Sequence, residues 1–313
     1  MQTMKAVRIH SFGGPDVLKF EDLPCPEPKQ DEVLVRVVAA SVNPIDYKIR
    51  LGQRAKQDEL PLTMGCDISG RVARCGTRVR DWKEGDAVFA MLARRSGGYA
   101  EYVTLKASEI ARKPRSLDHE HAAAVPLAAI TAWQGLVDYG ALKRGQRVLI
   151  HGAAGGVGHF AVQIAKSIGA EVIVTGASAD AGFLHAMGAS QVIDYQTKHF
   201  EHEVHDVDLV FDLIGGETRE RSWAVIKRGG TLVSTVGQPS KETARAHGVR
   251  AVGYVSHPNA IELADIAQLI DNGRIKPFVQ SSYPLNEAAK AQDHLEHDHA
   301  RGKTVLKVAN DSA

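Results

Sequence analysis

The sequence predicts an α/β protein in which a barrel-like, all-β unit is joined to a doubly wound parallel sheet. Three observations support this fold class. The 313 residues suffice for about two domains of ~150 residues each. Residues 1–110 contain short Val- and Ile-rich runs separated by turn residues. From residue 119 onward, strand and helix patterns alternate, which is typical of a parallel sheet with crossover helices.

Short apolar runs predict the strands of the all-β unit. Gly13–Pro15 and the proline-rich segment Pro24–Pro28 mark turns between the first of them. The predicted strands are Met4–His10, Val33–Ala40, Val72–Ala73, Ala87–Met91 and Tyr99–Leu105.

The central part of the chain carries the alternating pattern. Its run Val207–Ile214 is almost continuously apolar, as expected of a strand buried on both faces. The other predicted elements are helix Ala122–Leu136, strand Arg147–His151, helix Val157–Ile168, strand Glu171–Thr175, helix Ala179–Met187, strand Gln191–Asp194, helix Arg219–Ile226, strand Thr231–Val236 and strand Val249–Val255.

The C-terminal part returns to mixed structure and is too short for a domain of its own. We therefore expect residues 258–313 to pack onto residues 1–119, with residues 120–257 forming the second domain. The elements predicted there are helix Ile261–Asn272, strand Phe278–Ser282, helix Glu287–His297 and strand Thr304–Val308.

Composition excludes several classes of function. Lys plus Arg number 38 and Asp plus Glu 37, so the chain lacks the basic excess of a nucleic-acid-binding protein. It has no apolar stretch long enough to span a membrane, and Met1–His10 lacks the apolar core of a secretory signal. Three cysteines without a CxxC pair favour a reducing compartment, so we expect a cytoplasmic protein.

The segment Val148–Gly158 predicts a dinucleotide-binding loop. An apolar strand leads into Gly152-x-x-Gly155-x-x-Gly158, and an amphipathic helix follows. Small residues let the backbone approach a pyrophosphate at the helix N-terminus, while Gly158 permits close helix–strand packing. A tight turn without a ligand is the alternative.

The next strand favours NADPH over NADH. NAD-binding proteins carry an acid at the end of the second strand, but here Val172–Thr175 is followed by Gly176-Ala177-Ser178. The missing acid leaves room for a 2′-phosphate, to which Ser178 can donate. No Lys or Arg occurs from Ala177 to Gln191, so the usual cationic partner is missing.

Ordered motifs over the full length resemble one family. They are Met4–Val7, Ser41–Lys48 with its Asn-x-x-Asp signature, Gly65–Val72, Gly97–Tyr102, Ala128–Trp133, Gly155–Gly158, Asp212–Gly216 and Arg301–Lys303. The chain resembles the medium-chain dehydrogenase/reductase superfamily, in its zinc-independent NADPH:quinone oxidoreductase branch. The resemblance implies a GroES-like β-barrel catalytic domain, a Rossmann domain, NADPH in the cleft between them, and a homodimer.

The resemblance also implies positions for the cofactor-binding residues. Asn43 and Thr131 would lie at the nicotinamide, and Gly152, Gly155, Gly156 and Val157 along the pyrophosphate. Ser178 and Tyr195 would face the 2′-phosphate, and Lys303 would reach the phosphates. Leu213, Ile214, Val236 and Gly237 would frame the adenosine and the nicotinamide carboxamide.

No metal site is expected. Zinc-dependent relatives have a Cys at the position of Asn43 and a His-Glu pair at Cys66-Asp67, so this chain lacks the three ligands of a catalytic zinc. The His-rich segment Asp293–His299, like His202 and His205, is interpreted as a solvated surface, with adventitious metal binding as the alternative.

The implied reaction is hydride transfer to a quinone or to an α,β-unsaturated carbonyl compound. Without zinc, the developing oxyanion needs a hydrogen-bond donor. Asn43, Tyr47 and Lys48 are the candidate donors, Asp46 is interpreted as structural, and Asn43→Ala is expected to lower the rate at near-unchanged stability. Two alternatives remain open: an enoyl-thioester reductase, although Leu51–Arg54 lacks the Tyr of that group, and a low-turnover NADPH-binding structural or sensor protein.

Overall fold

A computed structural model describes residues 2–93, 96–298 and 301–311. Its contacts divide the chain into two compact units. The first unit contains Met1–Leu127, Pro258–Gly273 and Pro277–Ala313, and the second contains Ala128–His257 and Arg274–Lys276.

Strands are the main elements of the first unit and form the sheet of the second. In chain order they are β1 (Thr3–Ile9), β2 (Leu18–Pro24), β3 (Glu32–Val42), β4 (Leu62–Thr63), β5 (Asp67–Cys75), β6 (Ala87–Met91), β7 (Tyr102–Lys106), β8 (Ala111–Arg112), β9 (Arg147–His151), β10 (Glu171–Gly176), β11 (Gln191–Asp194), β12 (Val207–Asp212), β13 (Ile226–Ser234), β14 (Arg250–Gly253), β15 (Val279–Pro284) and β16 (Lys303–Lys307).

The helices are short, and none of those described has the length and apolarity needed to cross a bilayer. They are α1 (Pro44–Arg50), α2 (His119–Ala123), α3 (Pro126–Trp133), α4 (Gly158–Ile168), α5 (Ala181–Met187), α6 (Gly216–Ser222), α7 (Lys241–His247), α8 (Ala260–Asp271) and α9 (Ala288–His297).

The first unit is built around the long strand β3. This strand pairs antiparallel with β5, β7 and β16, and almost all of its side chains are buried. Register shifts between β3 and β5 bend the pair. As a result the end of β3, the start of β5 and the start of β16 lie close together, and the polar side chains described below come from these three strand ends.

The second unit contains a parallel six-stranded sheet in the order β11-β10-β9-β12-β13-β14. The chain reverses direction across the sheet between β9 and β12, which is the switch point where doubly wound folds bind ligands. Arg274–Lys276 joins this unit because the Gln163 side chain bonds the Lys276 backbone twice, donating to O at 3.1 Å and accepting from N at 2.8 Å.

Two predicted helices are wrong in their bounds. The expected helix Ala122–Leu136 is divided into α2 and α3, followed by a π-helical turn from Gln134 to Tyr139. Pro126 causes the break, because it has no N–H and its ring clashes with the preceding turn. The expected helix Arg219–Ile226 ends at Ser222, since Ile226 already pairs with Val207 in the sheet.

The contacts place the first domain boundary after Leu127, whereas the sequence suggested residue 119. Helix α2 accounts for the difference. It packs against β3 and β5, and His119 Nδ1 lies 2.7 Å from the Ser69 hydroxyl of β5. The segment between the two proposed boundaries therefore belongs to the first unit.

His151 ties three elements of the second unit together. It is fully buried at the end of β9, with Nδ1 3.0 Å from Thr175 Oγ1 and Nε2 3.0 Å from Ser222 Oγ. The Ser222 hydroxyl donates to Thr218 O, so it accepts from His151 Nε2. Burial lowers the pKa of His151 to about 4. The ring is therefore a neutral structural link, consistent with its interpretation as a strand-end residue.

This depressed pKa predicts a pH-dependent loss of stability. As the pH falls below ~6.5, the unfolded state binds the imidazole proton first, so stability declines until the folded state also binds it near the lowered pKa. We expect His151 to contribute roughly 3 kcal/mol to the decline of the unfolding free energy over this range. Urea titrations of His151→Gln at a series of pH values should show a shallower decline than the wild type. The exposed His205→Gln serves as the control, and equal pH slopes for all three proteins would contradict the prediction.

Candidate active site and nucleotide-binding loop

A buried polar cluster lies where β3, β5 and β16 meet. We call it the polar cluster; its members are Ser41, Asn43, Asp46, Asp67, Tyr99 and Lys303. All six side chains are buried, although three of them belong to ionisable types that rarely lie inside proteins without partners. Each of these side chains therefore needs hydrogen-bond partners inside the protein.

Asp67 is the main acceptor of the polar cluster. Its Oδ2 accepts from Ser41 Oγ at 2.6 Å and from Asn43 Nδ2 at 2.8 Å, and its Oδ1 accepts from the backbone N–H of Leu127 at 2.7 Å. Burial raises the pKa of Asp67, while nearby Lys303 and the hydrogen bonds lower it. The carboxylate thus fixes the positions of two side chains and of the chain at Leu127.

Asn43 connects Asp67 to Lys303. Its Nδ2 donates to the Asp67 carboxylate, and its Oδ1 accepts from Lys303 Nζ at 2.5 Å. A carboxylate needs a donor and an ammonium group needs an acceptor, so these two neighbours determine the orientation of the amide. One N–H of the Asn43 amide is therefore already bonded to Asp67. This bond disfavours the predicted role of Asn43 as a direct hydrogen-bond donor to the substrate.

Lys303 is buried, although the sequence suggested a residue that reaches out to phosphates. Its Nζ donates to Asn43 Oδ1 and, at 3.1 Å, to Val42 O. Among the described residues these acceptors account for two of its three N–H groups. Burial lowers the pKa of Lys303, and the carboxylates of Asp67 and Asp46 oppose that shift. Sequence reasoning missed this position because Asn43 and Lys303 are far apart along the chain.

Asp46 holds the start of α1. Its Oδ2 accepts from the Asn43 backbone N–H at 2.8 Å and from the Tyr99 hydroxyl at 2.9 Å. Burial raises the pKa of Asp46 to about 7. These contacts support the structural role predicted for it. Tyr47 and Lys48 also lie on α1, but within the described part of the chain neither side chain bonds to the polar cluster, and their catalytic role stays a prediction.

The glycine loop of the second unit has the shape that a dinucleotide requires. A Cβ on Gly158 would lie 2.2 Å from Gly152 O, so only glycine fits where α4 approaches the loop. At Gly155 a Cβ would make only an ordinary contact, 3.5 Å from Gly152 O, so the backbone before the N-terminus of α4 is not crowded there. Backbone N–H groups at such a terminus attract the charge of a pyrophosphate. Gly152, Gly155, Gly156 and Val157 therefore fit the group.

Further predicted cofactor residues of the second unit lie on α3 and after β12 and β13. Thr131 Oγ1 bonds Ser256 Oγ at 2.8 Å. Ile214 and Val236 are exposed hydrophobic residues that follow β12 and β13, beside Leu213 and Gly237 respectively. An apolar side chain left exposed beside the loop suits contact with a ring system.

Asp212 is a residue of this region that the sequence reasoning did not single out. Its Oδ1 accepts from the N–H groups of Ile214 at 3.0 Å and Gly215 at 2.7 Å, and its Oδ2 accepts from Ser234 Oγ at 2.8 Å. It therefore fixes the turns after β12 and β13 together. The sequence feature that could have indicated this role is a single acidic residue at the end of a buried strand.

A carboxylate lies beside the predicted 2′-phosphate residue Ser178. Asp194 at the end of β11 accepts a hydrogen bond from the Ser178 hydroxyl, while the neighbouring Tyr195 is 54% exposed. Asp194 was not among the site residues that the sequence suggested, although its neighbour Tyr195 was.

Comparison with known proteins identifies the family. Residues 29–115 match the family described as "Alcohol dehydrogenase GroES-like domain" and residues 187–306 the one described as "Zinc-binding dehydrogenase". The chain is 35% identical to the chloroplastic "NADPH-dependent alkenal/one oxidoreductase" of Arabidopsis thaliana, over 97% of this chain and 79% of that protein. The chain belongs to the medium-chain dehydrogenase/reductase superfamily, in its quinone oxidoreductase branch.

Solved structures of family members agree with this assignment. The quinone oxidoreductase of Coxiella burnetii has a TM-score of 0.90 at 37% identity, covering 98% of this chain and 100% of that one. The Escherichia coli quinone oxidoreductase in complex with NADPH has a TM-score of 0.88 at 29% identity, covering 97% and 100%. The predicted fold class, a GroES-like barrel with a Rossmann sheet, is confirmed.

The donor set of the polar cluster does not fit a zinc ion, even though one matching family is described as zinc-binding. Asn43 presents its N–H₂ group to Asp67, and the carboxylate already accepts three hydrogen bonds. Among the described residues no group of His, Cys, Asp and Glu has the geometry of a metal site. His294 and His297 pair with Asp298 and Asp293, His202 and His205 are exposed, and His299 lies outside the described residues.

The polar cluster predicts that Asn43→Ala destabilises the protein, contrary to the expectation of near-unchanged stability. The variant removes one donor to buried Asp67 and one acceptor of buried Lys303. An unsatisfied buried polar group costs about 1–3 kcal/mol, so we expect an unfolding free energy lower by roughly 2 kcal/mol or more. Chemical denaturation measures this, with Tyr47→Phe on the adjacent helix as the control. A stability equal to that of the control would contradict the bonding scheme.

Proposed function

We propose that the protein is an NADPH-dependent reductase that transfers a hydride to a quinone or to an α,β-unsaturated carbonyl compound. The names of its relatives support this reaction class. The observation that carries the proposal is the polar cluster, in which the positions of zinc ligands in related dehydrogenases hold an amide and a carboxylate bonded to each other and to Lys303. Such a site can donate a hydrogen bond to an oxygen but cannot acidify an alcohol as a metal ion does.

The cofactor is assigned to the second unit. The glycine loop and the N-terminus of α4 would bind the pyrophosphate, and the exposed apolar residues after β12 and β13 would contact the rings. Thr131 and Gly237 would orient the nicotinamide, and Ser178 and Tyr195 would lie at the adenosine ribose. When bound, NADPH supplies the hydride.

The chain's own contribution to the reaction is a positioned donor. As a hydride adds to the β-carbon of an enone, or to a quinone, negative charge develops on the carbonyl oxygen. We assign the remaining N–H of Lys303 as the donor to that oxygen. Asn43 positions Lys303 through Oδ1, and Asp67 holds Asn43 in turn. A proton then completes the reduction.

The oligomeric state, the cellular compartment and zinc independence are further parts of this proposal. We propose a homodimer, supported by the exposed edge strand β14 and the adjoining Val255, which is 81% exposed. The three cysteines, none of which forms a disulfide, support a reducing compartment such as the cytoplasm. Zinc independence is supported by the misfit of the donor set.

The proposed reaction predicts a specific pattern of substrates. We expect NADPH oxidation with small quinones, 2-alkenals and enones, and no oxidation of simple alcohols with NADP⁺, because no metal acidifies the hydroxyl. Activity should survive prolonged chelation. A spectrophotometric panel that also includes enoyl thioesters measures this. Robust alcohol oxidation, a preference for enoyl thioesters, or a stoichiometric zinc lost together with activity would each contradict the proposal.

Lys303→Met tests the donor. Removing a single oxyanion donor typically lowers the rate by ~10²–10³. We expect a loss of kcat of that size with little change in the Kd for NADPH. The exposed Lys307→Met on the same strand is the matched control. A variant with weakened NADPH binding and unchanged kcat would instead assign Lys303 to the cofactor phosphates, as the sequence suggested.

A further inference from the structure

At the ends of β10 and β11, a carboxylate lies next to the position that holds an acidic residue in NAD-binding proteins. The two strands are parallel, and Gly176 at the end of β10 is in register with Asp194 at the end of β11. In NAD-binding proteins of this fold, an acid at the end of the second strand accepts hydrogen bonds from the ribose hydroxyls. Here the acid is supplied by the adjacent strand.

A side chain at position 176 would contact α5. A Cβ on Gly176 would lie 2.4 Å from Leu184 Cδ1, closer than two carbon atoms can approach. A side chain at this position would displace the packing of α5 on the sheet. Contact with Leu184 therefore favours a small residue at the end of β10, whichever cofactor binds.

Asp194 is held in place as an ionised acceptor. Its Oδ2 accepts from Ser178 Oγ and, at 3.0 Å, from Thr197 Oγ1, while its Oδ1 accepts from the Gln196 N–H at 3.0 Å. These bonds, chiefly the one from Ser178, lower the pKa of Asp194. The carboxylate therefore carries its charge at neutral pH and uses the one hydroxyl proton that Ser178 has.

This arrangement opposes a phosphate at Ser178. A 2′-phosphate there would approach a carboxylate of like charge and would compete with it for the Ser178 proton. The segment from Ala177 to Tyr195 contains no Lys or Arg to offset the repulsion, and Lys198, which follows, pairs with Glu203. A ribose 2′-hydroxyl, in contrast, is a donor that the Asp194 carboxylate can accept.

We propose that Asp194 is the residue that sets the cofactor preference of this chain, weakening NADPH at the 2′-phosphate and admitting NADH through its ribose hydroxyl. The inference rests on the proposed function, since it concerns the cofactor of the same reductase. It means that NADPH and NADH bind with affinities within about tenfold of each other, because the phosphate gains little from a site with a charge of its own sign.

Isothermal titration at one fixed salt concentration tests this without any turnover. The ligands are NADPH, NADH and two adenosine fragments, adenosine 2′,5′-bisphosphate and adenosine 5′-monophosphate, which report on the 2′-phosphate alone. For Asp194→Asn, which keeps the size of the side chain, we expect NADPH and the bisphosphate to bind roughly fivefold to tenfold more tightly. NADH and the monophosphate should bind equally or more weakly.

Two further variants complete the experiment, one as a control for the change in charge and one as an independent test. Glu171→Gln makes the same charge change at the opposite end of β10 and should alter no affinity. Ser178→Arg adds a cation beside Asp194 and should tighten NADPH even if Asp194→Asn folds poorly. If the wild type binds NADPH over a hundredfold more tightly than NADH, or if Asp194→Asn folds and leaves the bisphosphate affinity unchanged, the inference is wrong while the proposed function stands. If neither dinucleotide binds, the proposed function fails as well.

Discussion

The buried carboxylate of Asp67 is the interaction on which the first unit depends. An ionised group in an apolar interior is stable only when its lone pairs accept hydrogen bonds, and Asp67 accepts three. Those bonds fix Ser41 at the end of β3, Asn43 at the start of α1 and Leu127 at the end of the first unit. Ser41 and Asn43 belong to the segment that leads from β3 into α1, and Leu127 lies far from them along the chain, so the carboxylate determines how these two segments meet.

The same carboxylate determines the chemistry of the polar cluster. Because Asp67 takes the amide N–H₂ of Asn43, the amide oxygen turns to Lys303. An amide, a carboxylate and a lysine then satisfy one another in the interior of the first unit. Asp46 and Tyr99 complete the arrangement by fixing the first turn of α1. The outcome is a rigid donor site, since partly satisfied buried polar groups are costly.

In the second unit, the polar residues that organise the candidate site lie at the ends of parallel strands. Polar side chains at these ends hold the turns that follow: Asp212 holds the turns after β12 and β13, and Asp194 holds Ser178 after β10. His151 does the same inside the sheet, where it links β9 to β10 and α6. A parallel sheet brings all of its carboxyl ends to one edge, so Asp212 and Asp194 hold turns along the same edge.

The sequence by itself determined the two-part fold, the glycine loop and the family, because these depend on local patterns: periodicity, turn residues and short ordered motifs. It also suggested Asn43, Ser178 and Lys303 as site residues, and it suggested a structural role for Asp46 because a carboxylate beside the cofactor phosphates would be repelled. Only the tertiary structure decided what these residues do. Asn43 is bonded between Asp67 and Lys303, and Ser178 donates to Asp194, whose strand lies beside its own. Partners such as these are separated by long stretches of chain, and hydrogen bonds between buried groups are set by the register and packing of strands, which no local pattern contains.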